Sequence, residues 1–178
     1  MTSYDEVDKL FVIGATKKLQ NEINKPIENI EEYNEVPDIH QWHGNIVTLN
    51  RRKCLILMNN ATGLNLTLLG LRKEQFEHLD SVIKGSLRQL FQLLDVEKGI
   101  ADEMLAAADD IAYTKTNNRK ILGMMNEIKF FTEDTVMGQA YEDIDAAEIN
   151  NFNNKTLVFS GLDKQNPYDQ FIAYFEKQ

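Results

Sequence analysis

Residues 42–69, WHGNIVTLNRRKCLILMNNATGLNLTLL, constrain the fold of this chain more than any other stretch. Three apolar runs, residues 46–49, 54–58 and 64–69, are separated by Asn50-Arg51-Arg52-Lys53 and by Asn59-Asn60-Ala61-Thr62-Gly63. Short apolar runs bounded by Asn and Gly clusters are a hairpin signal. In the third run Leu64, Leu66 and Leu68 alternate with Asn65 and Thr67, the period of a strand with one wet face. The middle run, CLILM, lacks any polar alternation, so it is expected to be covered on both sides. The pattern predicts an α+β fold: an antiparallel sheet, made of a central three-stranded meander plus one or two further strands, packed against helices.

A chain of 178 residues is about one domain's worth, so residues 1–178 are expected to form a single globular domain. Its net charge of −9 opposes general affinity for nucleic acid or anionic membranes, because the long-range field repels phosphate. The one cysteine, Cys54, sits inside an apolar run and permits no disulfide framework. The N-terminus, MTSYDEVDKLFVIGAT, starts acidic and carries only a brief apolar run, so neither a signal peptide nor a membrane span is expected. Together these features predict a cytoplasmic protein.

Elsewhere the chain reads as alternating short elements. Residues 10–13 predict a strand, with Thr16 capping a helix that ends before Pro26. Residues 26–41 form a polar, acidic connection containing Pro26 and Pro37. Phe76, Leu79, Ile83, Leu87, Leu90 and Leu94 recur at helical spacing, and a second helix is expected over about 96–108. Residues 111–116 predict a strand, Asn118 caps a helix carrying Ile121, Met125 and Ile128, and 133–148 is an acidic surface block. Residues 156–159 predict a last strand, and Asn166-Pro167 opens a terminal helix.

Signatures of chemistry are missing: there is no glycine-rich phosphate loop, dinucleotide fingerprint, nucleophile elbow, HExxH or zinc-type cysteine pair. No cofactor, metal or catalytic residue is predicted, although His40 and His43 with Asp38 keep a minor metal reading open. Charge segregation is the positive signal. Arg51, Arg52 and Lys53 form one basic run, and Lys115, Arg119 and Lys120 form another, in an otherwise acidic chain. If the strand ending at Thr116 pairs beside the meander, the two runs meet on one sheet edge and offer forked donors to phosphate or carboxylate. The candidate ligand-binding set is Trp42, His43, Asn45, Arg51, Arg52, Lys53, Thr114, Lys115, Thr116, Asn117 and Arg119. The bland alternatives are that the basic turns serve solubility and edge protection, and that Trp42 anchors its strand in the core.

The elements ATKKL (15–19), WHGNIVTLNRRKCLILMNNAT (42–62), YTKTNNRKILGMMNE (113–127) and NPYDQF (166–171) resemble, in order and spacing, an uncharacterised bacterial domain-of-unknown-function family. That family is similar to the N-terminal region of plasmid ORF-3-type proteins. Ala15 stands where the family usually has cysteine, and Gly44 where it has alanine. The resemblance implies a small cytoplasmic α+β domain of bacterial, plasmid or phage origin, with no established activity. Its recurring polar positions correspond here to Trp42, Asn45, Arg51, Lys53, Asn59, Thr62, Thr114, Lys115, Thr116, Arg119 and Asn126.

The leading expectation is a non-enzymatic binding module that holds an anionic ligand (a nucleotide, nucleic acid or acidic segment) at the basic turn pair. One alternative is an acidic phage or plasmid inhibitor that occupies a basic site on a host nuclease or defence protein through residues 28–38 and 133–148. A further alternative is a phosphoester-processing enzyme, with His43 or Glu127 as its general base.

Overall fold

A computed structural model describes residues 10–162 and 165–177. The acidic segment before Leu10, read above as neither leader nor span, lies outside the described residues.

The chain enters through β1 (Leu10–Ala15), α1 (Lys17–Glu22) and the two-residue β2 (Ile27–Glu28). The meander follows as β3 (Gln41–Leu49), β4 (Arg52–Asn59) and β5 (Asn65–Leu68). Then come α2 (Lys73–Glu77), α3 (Leu79–Leu93), α4 (Lys98–Ala107), β6 (Asp110–Lys115) and α5 (Arg119–Val136). Helices α6 (Ala146–Lys155) and α7 (Pro167–Glu176) close the described chain.

Among the described residues the strands form one sheet in the order β2-β6-β1-β3-β4-β5. Connection length decides direction. Leu49 and Arg52 are paired across a loop of only Asn50 and Arg51, so β3 and β4 must run antiparallel. Both loop residues have positive φ, 49° and 64°, the geometry of a two-residue hairpin turn that follows the sheet twist. By contrast β1, β2 and β6 are joined through helices or long segments, and they pair in parallel with their neighbours. The α+β class and the central meander are as read from the sequence; three further strands join it, and they form a parallel half.

CLILM is covered on both faces, as its composition requires. Leu55 and Leu57 point into a core with Phe11, Ile13, Leu19 of α1, Ile83 and Leu87 of α3, and Phe171 of α7. Cys54, Ile56 and Met58 point the other way, against Ile121, Met124, Met125 and Ile128 of α5. Each such buried side chain contributes roughly 1.5–3 kcal/mol relative to exposure, so β4 ties the two helical layers together.

The outer edge of β5 is closed by side chains rather than by a strand. Asn154 accepts the Asn65 N–H at 2.9 Å and donates to the Asn65 carbonyl at 2.9 Å. Asn150 does the same for Thr67, at 2.8 and 3.0 Å. Four helical residues rise about 6.0 Å and two strand residues about 6.7 Å, so two amides one turn apart stand where the next strand's peptides would be.

Three expectations need correction. The helix read over 76–94 is two, α2 and α3, broken at His78, whose φ of −120° and ψ of 37° are not helical. The acidic block 133–148 lies mostly on the surface as expected, but its end opens α6, a helix not foreseen. Residues 156–159 are not a strand; with β5 already paired to α6, no edge remains for them there, and Phe159 instead fills the core beneath α5.

Candidate functional site: the C-terminal edge of the parallel strands

Ala15 of β1 lies in register with Lys115 of β6 on one side and Gly44 of β3 on the other. The chain leaves β1 and β6 for opposite faces. Helix α1 sends Leu19 into the first core, while α5 packs its Ile121 and Met125 into the second. Neighbouring parallel strands whose connections part to opposite faces leave a crevice outside their carboxyl ends, where open parallel sheets hold ligands.

Polar side chains order these strand ends. Thr16 caps α1 by accepting the Leu19 N–H at 3.4 Å and donates its hydroxyl to Asn45 Oδ1 at 2.7 Å. Asn118 caps α5 by accepting the Ile121 N–H at 3.2 Å, and its carbonyl accepts the Leu122 N–H at 3.2 Å, so of the first turn only the Arg119 and Lys120 N–H groups lack an intrahelical partner. Beneath them His43 reaches across β1. A Cβ on Gly14 would stand 2.9 Å from His43 Nε2, so the glycine makes the passage for the ring. The Asn117 N–H donates to Nε2 at 3.3 Å, which fixes Nε2 as the unprotonated nitrogen; Nδ1–H then donates to Asn60 Oδ1 at 2.8 Å. Burial lowers the His43 pKa, keeping the ring neutral.

Charge marks the same place. Lys17, Lys18, Lys115, Arg119 and Lys120 are all exposed, and none forms an ion pair among the described residues. Among the described residues the ion pairs engage other lysines: Lys25 with Asp80, Lys53 with Glu22, Lys84 with Asp109, Lys98 with Asp102 and Lys129 with Glu133.

Of the residues singled out in the sequence, the fold brings together His43, Asn45, Lys115, Thr116, Asn117 and Arg119. It sets the others apart. Trp42 is buried against Phe11, ring centroids 5.0 Å apart, and anchors β3 in the core. The two basic runs point to the same end of the sheet without meeting. Leu49 is five residues past Gly44 (49 against 44), and β3 is two strands from β6, so the Arg51 turn and Lys115 lie roughly 20 Å apart. Arg52 covers the Tyr141 ring at 3.8 Å, and Lys53 is held by Glu22. Thr114 is buried and donates to the Lys115 carbonyl at 3.0 Å, stiffening the strand end rather than facing a ligand. Asn59 and Thr62 are structural: Asn59 Oδ1 accepts from the Ala61 and Thr62 N–H groups and from the Thr62 hydroxyl.

Both nitrogens of His43 are engaged, which leaves it no lone pair for a metal. Among the described residues no three His, Cys, Asp or Glu side chains converge on a cation position. Sequence reasoning missed Gly14, Thr16, Lys17, Lys18 and Asn60. A signal for the first four existed: a strand, a capping threonine and two lysines in succession place positive charge at a strand's carboxyl end.

The fold defines an α+β protein with a mixed sheet and exposed cations at the carboxyl ends of its parallel strands β1 and β6. The chain belongs to the family described as Domain of unknown function (DUF6933), whose model matches residues 12–170. Neither the curated proteins nor the solved structures contain a significant match. Among the described residues no helix is long and apolar enough to cross a membrane.

Proposed function

We propose that the protein is a non-enzymatic binding module that holds an anionic group, from a nucleotide, a nucleic-acid end or an acidic protein segment, in the crevice outside β1 and β6. The observation that carries this reading is the presence, at the strand β6 end and at the diverging starts of α1 and α5, of five exposed cations with no ion pair among the described residues, in a chain of net charge −9. A phosphoester enzyme with His43 as its base is less well supported, because the lone pair of His43 already accepts the Asn117 N–H. As part of the same proposal, the protein works in the cytoplasm of a bacterium carrying a plasmid or phage, the setting implied by the resemblance to plasmid ORF-3-type proteins.

Calorimetric titration with inorganic pyrophosphate, ATP and a short oligonucleotide tests the reading. Lys115→Ala with Arg119→Ala is expected to weaken binding about tenfold or more, equivalent to about 1.4 kcal/mol, while Arg51→Ala leaves it unchanged. Absence of binding by all three anions, or equal damage from Arg51→Ala, would overturn it.

A second reading, an inhibitor that presents acidic surface to a basic site, rests on Glu31, Glu32 and Glu35, which are exposed and without an ion pair among the described residues. Charge reversal of these three is expected to abolish capture of a basic partner; capture that survives reversal removes this reading.

A further inference from the structure

Helix α5 turns a face to solvent that the anion reading leaves unexplained. Arg119, Gly123, Asn126, Phe130, Asp134 and Met137 recur at spacings of three and four residues, opposite the buried stripe of Ile121, Met125 and Ile128, and all six are exposed. Phe130 and Met137, 69% and 72% exposed, are the most exposed large apolar side chains among the described residues, and they stand two turns apart on this one ridge.

Neither the glycine nor the charges serve α5 itself. Glycine inside a helix destabilises it relative to alanine, yet a Cβ at Gly123 would have nothing within 4 Å. The first turn holds Arg119 and Lys120 and no acid; the last holds Glu133 and Asp134 and no base. The helix dipole favours the reverse order, so this sorting weakens α5 when it stands alone. An antiparallel helix of the same sequence turns the sorting to advantage, because the basic start of one then lies beside the acidic end of the other.

We propose that this face is a self-association surface, on which α5 pairs antiparallel with α5 of a second copy of the chain. One register meets every feature. With the two-fold axis passing between Asn126 and Glu127, Phe130 of each copy sits over Gly123 of the other, a ring entering the hole that a missing Cβ leaves. Arg119 and Lys120 of each copy then lie beside Glu133 and Asp134 of the other. Glu127, the acid nearest the axis, is held by the Ser160 hydroxyl of its own chain at 3.1 Å. Glu133 has Lys129 of its own helix at 3.8 Å, so the incoming base joins an existing pair. A single pair of 18-residue helices buries less than the roughly 800 Å² per partner of a standard interface, so the dimer is weak, with a dissociation constant on the order of 100 μM.

Sedimentation equilibrium of the full chain from about 10 μM to about 1 mM, in roughly 0.15 M salt to screen the −9 charge of each copy, tests the proposal. The average mass is expected to rise from monomer towards dimer and no further. Phe130→Glu is expected to remove the rise. Gly123→Gln places a better helix former in open space, so it is expected to raise the melting temperature while weakening association about tenfold. Reversing the first turn (Arg119→Glu with Lys120→Glu) or the last (Glu133→Lys with Asp134→Lys) is expected to abolish association, and reversing both in one chain to restore it. General stickiness of Phe130 would not give that restoration. A thermal melt of each variant confirms folding. A monomer at every concentration, growth beyond the dimer, undiminished association of Phe130→Glu or Gly123→Gln, or a folded fourfold variant that stays monomeric would overturn it. Gly123 and Phe130 have no part in the proposed anion site, so the two readings fail separately.

Discussion

The two halves of the sheet treat their exposed polar groups in opposite ways. On the antiparallel side, the edge of β5 is sealed: every N–H and carbonyl that Asn65 and Thr67 turn outward is taken up by Asn154 or Asn150. At the carboxyl ends of the parallel strands, Lys17, Lys18, Lys115, Arg119 and Lys120 are exposed and form no ion pair among the described residues. An unpaired strand edge invites association with other chains and is closed; unpaired charge at a helix start invites a ligand and is left open. On the proposed reading, stability and binding fall to different parts of one sheet.

Breaking the sealed edge is expected to have the largest effect. Asn150→Ala with Asn154→Ala strips four buried backbone groups of their partners, at about 1–3 kcal/mol each, so a loss of ~4 kcal/mol or more is expected in urea denaturation. That is a large share of the roughly 5–15 kcal/mol that holds a domain together. Light scattering is expected to report self-association through the exposed β5.

The junction between the halves comes next. Gly14→Ala would push a methyl against the His43 ring, 2.9 Å away, and is expected to cost about 1–3 kcal/mol in the same assay. The Asn117 amide, now bonded to Nε2, is expected to lose hydrogen-exchange protection along with it.

His43 also gives the parallel half a pH dependence. Its pKa is lowered in the folded protein, chiefly by burial, so the unfolded chain binds this proton more readily. The associated stability is full above the ordinary histidine value of about 6.5 and is lost as pH falls from there through the folded value. Protonation puts a hydrogen on Nε2 and breaks its bond from Asn117. The melting temperature of the native protein is expected to fall more steeply below that pH than that of His43→Gln.

The smallest stability effect belongs to the open edge. Lys115→Ala with Arg119→Ala touches no buried contact and is expected to change unfolding free energy by less than about 0.5 kcal/mol while removing anion affinity. A variant that lost both would place these residues in the structural half of the comparison.

What could be read in advance follows the same division. The meander was legible because CLILM has no polar alternation and Leu64, Leu66 and Leu68 do alternate, although Asn65 and Thr67, read as a wet face, are buried. The caps at Thr16, Asn118 and Asn166 were legible because a side-chain oxygen before a helix has one main use. Helix α6 was not, since its buried stripe includes Asn150, Asn153 and Asn154, which by composition read as surface. The basic turns were visible as charge, but only strand order and register show that β3 runs on past β1 and carries Arg51 away from Lys115. Likewise Thr16 to Lys18 became part of the site only once β1 was seen to lie beside β6.

The most direct measurement is a nitrogen-15 NMR titration of the whole chain with inorganic pyrophosphate. Saturable shifts are expected at the amides of residues 16–18 and 115–120, with the Asn50-Arg51 turn silent. Shifts centred on that turn, or none at the carboxyl ends of β1 and β6, would contradict the assignment of binding to the open half of the sheet.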